Sequence, residues 1–170
     1  VAGDSILAMR YWSFLPSMVS IAVMFQLGRE LTHYRPQLIG KSGLLGLPVL
    51  AALLMALTDG ENYLAQELRM YTWHVLFASL TTLFYLKYFR TGRQKWLFWW
   101  GFMTVMLVYT HYFGAFVPVV QGVHALIFMR GRQRVQFIVA SALSGLAFAP
   151  WFFTVTLNQF GGDAVCVNCA

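Results

Sequence analysis

The sequence predicts an all-α protein, a polytopic transmembrane helical bundle of about six spans. Composition, run length and the placement of charge each point there. Of the 170 residues 59% are hydrophobic and 11% are charged, where a soluble domain carries about 25% charged residues. Eighteen formal charges cannot cover that much apolar surface, which argues against a soluble globule. The mean hydropathy of +0.62 also excludes a disordered chain, which lacks apolar surface to bury. The apolar runs are too long and too uniform for the alternating strands of a barrel.

The spans follow from apolar stretches bounded by charge or turn residues. They fall at about 11–28, 38–58 and 70–89, with Lys41 near the start of the second, placed to snorkel toward headgroups, and Lys87 near the end of the third. From Trp96 to Met129 come 34 residues without Asp, Glu, Lys or Arg. As one helix this run would be about 51 Å long, against a hydrocarbon core of about 30 Å. Two spans, 96–111 and 113–129, fit instead, with the turn at the polar cluster Thr110-His111-Tyr112-Phe113-Gly114. The sixth span is 135–157. One integral domain covers residues 1–170, with no internal repeat. The chain opens on Val1 and closes on C-V-N-C-A, which reads as a piece of something longer; its first residues show no cleavable signal pattern.

Loop charge tests the count. With six spans, ten of the twelve basic residues (Arg29, Arg35, Lys41, Lys87, Arg90, Arg93, Lys95, Arg130, Arg132 and Arg134) share one face. The positive-inside rule makes that face cytoplasmic in a multi-pass protein of the inner or plasma membrane. Asp4, Asp59, Glu61, Glu67 and Asp163 take the other face, and only Glu30 joins the basic one. One long central span would flip the Arg130–Arg134 cluster and destroy this segregation. The net charge of +6 therefore reflects topology. A nucleic-acid partner is not indicated, since no basic stretch outside the apolar runs carries interleaved aromatics. Most of the six Trp fall near span ends, as in an interfacial belt.

Two polar blocks meet on the outer face: Thr58 to Tyr71, and Tyr109-Thr110-His111-Tyr112-Phe113. Glu67, Arg69 and Tyr71 stand at the entrance of the third span. They can anchor a helix at the headgroups, or form a polar floor in which Arg69 holds a phosphate through a charge-assisted fork and Glu67 orients it. His111 and Tyr112 read as belt residues or as a second wall of that floor. His74 and His124 read as interhelical hydrogen bonders, His33 as exposed, and Gln26, Gln121 and Asn158 as amides packed between helices. No histidine pair has the spacing of a zinc helix, so no metal ligands are assigned. Cys166 and Cys169 form a C-x-x-C that fits a redox pair, a short disulfide or half a metal site.

The block Gln66-Glu67-Leu68-Arg69-Met70-Tyr71, then an apolar span, a basic loop and Leu107-Val108-Tyr109-Thr110-His111-Tyr112-Phe113, resembles the membrane glycosyltransferases of the dolichyl-phosphate-mannose protein mannosyltransferase and aminoarabinose transferase type. These share the GT-C architecture. A "Q-E-A-R-M-Y" block opens one helix there and "Y-T-H-Y-F" closes the next; Leu68 replaces the Ala. Arg10 to Ser17 and Leu27 to Leu31 resemble the family's "R-x-x-S-x-L" and "L-G-R-x-L" segments, so the likeness covers most of residues 10–157. It implies transfer of a sugar from a polyprenyl-phosphate carrier to a lipid, glycan or protein acceptor at the outer membrane face. It also implies that Glu67, Arg69 and Tyr71 with His111 and Tyr112 line the substrate cleft. No cofactor is assigned, although such enzymes can use a divalent metal. The catalytic acid of the family sits in an external loop before the first matched segment; Asp4 does not match it, and no residue is assigned as catalytic. The alternatives are a transporter or flippase of lipid-linked sugars, which would place polar groups at the midplane of broken helices, and a membrane assembly subunit without chemistry.

Overall fold

The computed structural model describes residues 6–34, 46–58 and 71–161. All of their regular structure is helical: α1 (Ile6–Tyr34), α2 (Gly46–Leu57), α3 (Tyr71–Thr91), α4 (Gln94–Thr110), a 3₁₀ turn (Tyr112–Ala115), α5 (Phe116–Phe128) and α6 (Gly131–Gly161). The fold is all-α. The first and last helices run past the apolar stretches that predict them, because a helix continues through polar flanking turns that a span would exclude. The helical parts of the second and fifth predicted spans are shorter, 12 and 13 residues; residues 38–45 lie outside the described part.

Turns as short as these force neighbouring helices antiparallel. Gly92 closes α3 in the left-handed region (φ +62°), donating its N–H to Tyr88 O at 2.8 Å, and only Arg93 separates it from α4. A glycine adopts this conformation without the steric penalty of a Cβ. Between α4 and α5 the break is His111, whose backbone is extended (φ −161°, ψ 130°). The 34-residue apolar run is thus two helices, divided inside the predicted polar cluster.

α3 packs on both α1 and α4; α2 packs on α1, and α6 on α4 and α5. Tyr85, Tyr88, Leu97, Trp100, Ala125, Met129 and Phe137 form the larger buried cluster. Polar ties cross it. Trp100 Nε1 donates to Gln121 Oε1 at 2.7 Å, Gln121 Nε2 donates to Thr82 Oγ1 at 3.2 Å, and Tyr85 OH bonds His124 Nδ1 at 2.6 Å. Tyr88 OH reaches Gln133 O at 3.0 Å, while Gln133 Nε2 returns to Tyr88 O at 2.9 Å. His124 and Gln121 are interhelical bonders as expected. Gln26 is exposed and does not pack between helices, because its face of α1 has no neighbouring helix among the described residues.

Glu30, the one carboxylate among the described residues, accepts two bonds from Arg90, Nε at 3.0 Å and Nη2 at 3.2 Å. This fork joins the end of α1 to the end of α3 and explains how a lone acid is held among cations. The contacts of Glu30 with Arg90 and of Tyr88 with Gln133 bring Arg29, Lys87, Arg90, Arg93, Lys95, Arg130, Arg132 and Arg134 to one end of the bundle. The acidic half of the predicted segregation lies outside the described residues.

The core takes few of the large apolar side chains. Leu50, Leu54, Phe98, Phe116, Val120, Ile127, Leu143, Leu146 and Phe153 are all at least half exposed. By length and composition one described helix, Gly131–Thr154, qualifies to cross a membrane: 24 residues with mean hydropathy 1.6. Only 6% of its apolar window is buried, whereas the core helix of a soluble protein is buried on a broad face.

A Cβ at Gly28 would lie 2.6 Å from Pro48 Cα, backbone that cannot swing away, whereas one at Gly145 would meet nothing within 4 Å. Gly28→Ala therefore costs about 1–3 kcal/mol through forced separation of α1 and α2. Gly145→Ala is neutral or stabilises by up to about 1 kcal/mol. Thermal unfolding of the two variants beside the parent in one detergent checks the contrast.

Candidate functional site

The end opposite the basic residues is assembled by aromatic contact. Trp12 of α1 meets Trp73 of α3 with ring centroids 5.1 Å apart. Tyr109 at the end of α4 donates its hydroxyl to Ala147 O of α6 at 3.0 Å and packs on Trp151 at 6.3 Å. The decisive contact joins the first turn of α3, which follows the first polar block, to the second block: the His74 and His111 rings meet edge to face at 5.9 Å. Residues from the first turn of α3 and from the α4–α5 break, far apart in sequence, thereby share one site.

Each side chain is placed by its local backbone. Extended His111 leaves α4 and turns its ring back over the next turn, where Nδ1 accepts the N–H of Phe113 at 3.2 Å. The neutral imidazole then carries its proton on Nε2, which remains a donor. Tyr112 is exposed and stacks on His111 at 4.9 Å; Phe113 closes the stack at 4.3 Å from Tyr112. Tyr71 opens α3, half buried, one turn before His74. Glu67 and Arg69, the other two expected site residues, lie outside the described residues, as do Cys166 and Cys169.

The sequence places His74 as an interhelical hydrogen bonder, yet its Nδ1 is buried and without a partner. Thr72 Oγ1 and Trp73 Nε1, beside it in the same turn, are also buried and unpartnered. Such atoms are uncommon and costly in folded proteins. The sequence signal was the one-turn spacing from Tyr71, which places both on neighbouring positions of one helix face; the contact with His111 depends on the α3–α4 hairpin and was not legible. Among the described residues no three His, Cys, Asp or Glu side chains gather as metal ligands.

Apolar space adjoins the site. A cavity of about 350 Å³ between α4, α5 and α6 is walled by Val108 and Ala115, on either side of the His111 break, and by Trp100, Pro118 and Phe148. On the far side of Val105 and Ser144 an open groove of about 700 Å³ follows the α4–α6 seam past Phe102 and Leu143. A polar rim above an apolar channel suits an amphiphile: charged or hydroxylated groups at the rim, hydrocarbon below. Comparison with protein-family models, curated proteins and solved structures gives no match.

Gly114 braces His74. A Cβ there would fall 2.8 Å from Leu107 Cγ, 2.9 Å from Leu107 O and 3.0 Å from His74 Cε1. Gly114→Ala is therefore expected to displace His74 from His111, changing the imidazole NMR signals of both and lowering stability by about 1–3 kcal/mol. Gly122→Ala, whose Cβ would meet open space, leaves those signals in place.

Proposed function

We propose that the chain is a six-span membrane bundle that takes a sugar from a polyprenyl-phosphate carrier and passes it to a lipid, glycan or protein acceptor. Its basic end faces the cytoplasm and the His74–His111 end faces outward. The contact of His74 with the Tyr109–Phe113 block carries this reading, because it sets one segment that resembles the glycosyltransferase motifs against the helix that begins at Tyr71, the last residue of the other. The exposed apolar belt and the gathering of cations at one end support the membrane placement.

The division of labour follows from the chemistry of the donor. A phosphate leaving group departs more readily when fixed donors and cations meet the charge that develops on it. Arg69, two residues before the helix that carries Tyr71 and His74, supplies a planar fork for phosphate. His111 offers the Nε2 proton left free by its bond to Phe113, and Tyr112 a hydroxyl for the sugar. Glu67 orients Arg69 or a sugar hydroxyl. The cavity between α4, α5 and α6 takes hydrocarbon of the carrier. A transporter reading has less support: Thr82, Tyr85, Gln121 and His124 engage one another or nearby groups in the bundle interior rather than lining a path.

Binding by the whole protein in detergent micelles tests the site. A long-chain polyprenyl phosphate is expected to bind at least tenfold more tightly than the uncharged polyprenol. Arg69→Ala and His111→Ala are each expected to weaken phosphate binding about tenfold, the loss of one charge-assisted hydrogen bond, with helix content unchanged. Equal retention of the phosphate and the alcohol, or variants that bind as the parent does, would remove the assignment.

A further inference from the structure

Two ammonium groups converge on one indole at the α3–α4 turn. Lys87 Nζ lies 4.6 Å and Lys95 Nζ 4.8 Å from the ring of Trp96, so the charges are at most about 9.4 Å apart. The turn at Gly92 creates this meeting, since Lys87 stands in the last turns of α3 and Lys95 in the first of α4. Trp96 is held by its stack on Phe84, 5.8 Å away and 19° from parallel. The ring attracts both cations, but their mutual repulsion persists and grows as the surroundings become less polar. The only carboxylate among the described residues, Glu30, is engaged by Arg90 through both oxygens. Arg93, exposed in the same turn, adds another positive charge.

An anion held by the two lysines would offset that repulsion. The surface next to it says what else the anion carries. From Trp96 an aromatic stripe runs along α4 away from the charged end: Trp99, which also meets Phe84 at 6.3 Å, and then Phe102, 6.0 Å from Trp99. Both are 44% exposed. A phosphate attached to hydrocarbon satisfies the lysines and the stripe together, whereas a free anion satisfies only the lysines.

We propose that Lys87, Lys95 and Trp96 bind the phosphate headgroup of an anionic phospholipid, with one acyl chain lying along Trp99 and Phe102. This goes beyond sugar transfer and rests only on the membrane part of the reading above. The site is a local one, distinct from the diffuse attraction of a basic protein end for an anionic leaflet, which falls off within a Debye length.

The test reconstitutes the full chain into phosphatidylcholine vesicles containing a minor fraction of phosphatidylglycerol with brominated acyl chains. Quenching of Trp96 is isolated by difference against Trp96→Phe. Half-maximal quenching is expected at a phosphatidylglycerol fraction about tenfold higher in Lys87→Gln/Lys95→Gln than in the parent. Arg132→Gln/Arg134→Gln, which removes the same charge from the same end, is expected to stay within twofold of the parent. Equal losses in the two double variants would overturn the site in favour of diffuse attraction. Relief of quenching by inorganic phosphate at constant ionic strength would overturn the lipid assignment in favour of a free anion. Failure to enter any vesicle would overturn both this site and the membrane reading, while a parent that enters vesicles and transfers sugar but shows no preference for phosphatidylglycerol over phosphatidylcholine at Trp96 would overturn this site alone.

Discussion

The extended backbone at His111 sets the direction of everything after it. Were α4 to continue, residues 94–128 would form one rod, α6 would begin at the far end, and the Arg130–Arg134 cluster would leave the other cations. The break instead returns α5 alongside α3, where Gln121 and His124 find Thr82 and Tyr85. It also delivers the start of α6 to Tyr88, whose carbonyl is then bonded by Gln133. One residue out of helical geometry therefore fixes the parity of the helices, the gathering of charge and the position of the His111 ring itself.

Around that break the bundle is tied by a few polar contacts rather than by a large apolar core. In water this would be a poor bargain, because so many leucines, valines and phenylalanines stay exposed. In hydrocarbon the exposed side chains are at no disadvantage, and interhelical hydrogen bonds with close backbone contacts become the means of association. The Trp100–Gln121–Thr82 chain, the Tyr85–His124 bond, the Glu30–Arg90 fork and the approach of Gly28 to Pro48 all follow that logic. The serine and threonine hydroxyls do too: Ser20, Thr81, Thr82, Ser141 and Ser144 each bond the carbonyl four residues back, so they expose no free donor.

The helical class, the division of the long apolar run and the gathering of cations were all legible, because run length and charge placement act on the chain locally. What escaped depends on three-dimensional register. Glu30 looked like an exception among cations until Arg90, sixty positions away, supplied its partner. His74 looked like one more buried bonder until the α3–α4 hairpin set it against His111. Gln26 looked interhelical because an amide in an apolar run usually is, but periodicity cannot say which face of α1 has a neighbour. The convergence of Lys87 and Lys95 on Trp96 also needs the Gly92 turn, since residues eight apart across a helix break have no fixed relation in sequence.

The central claim is that the Gly92 turn and the His111 break occupy opposite faces of a membrane. Single cysteines placed at Thr91 and at Tyr112, each in a background with Cys166 and Cys169 replaced by Ser, report it through a membrane-impermeant maleimide applied to sealed vesicles of one orientation. Thr91→Cys and Tyr112→Cys should label from opposite sides, and each should become reactive from the other side only after permeabilisation. Labelling of both from the same side would contradict the account.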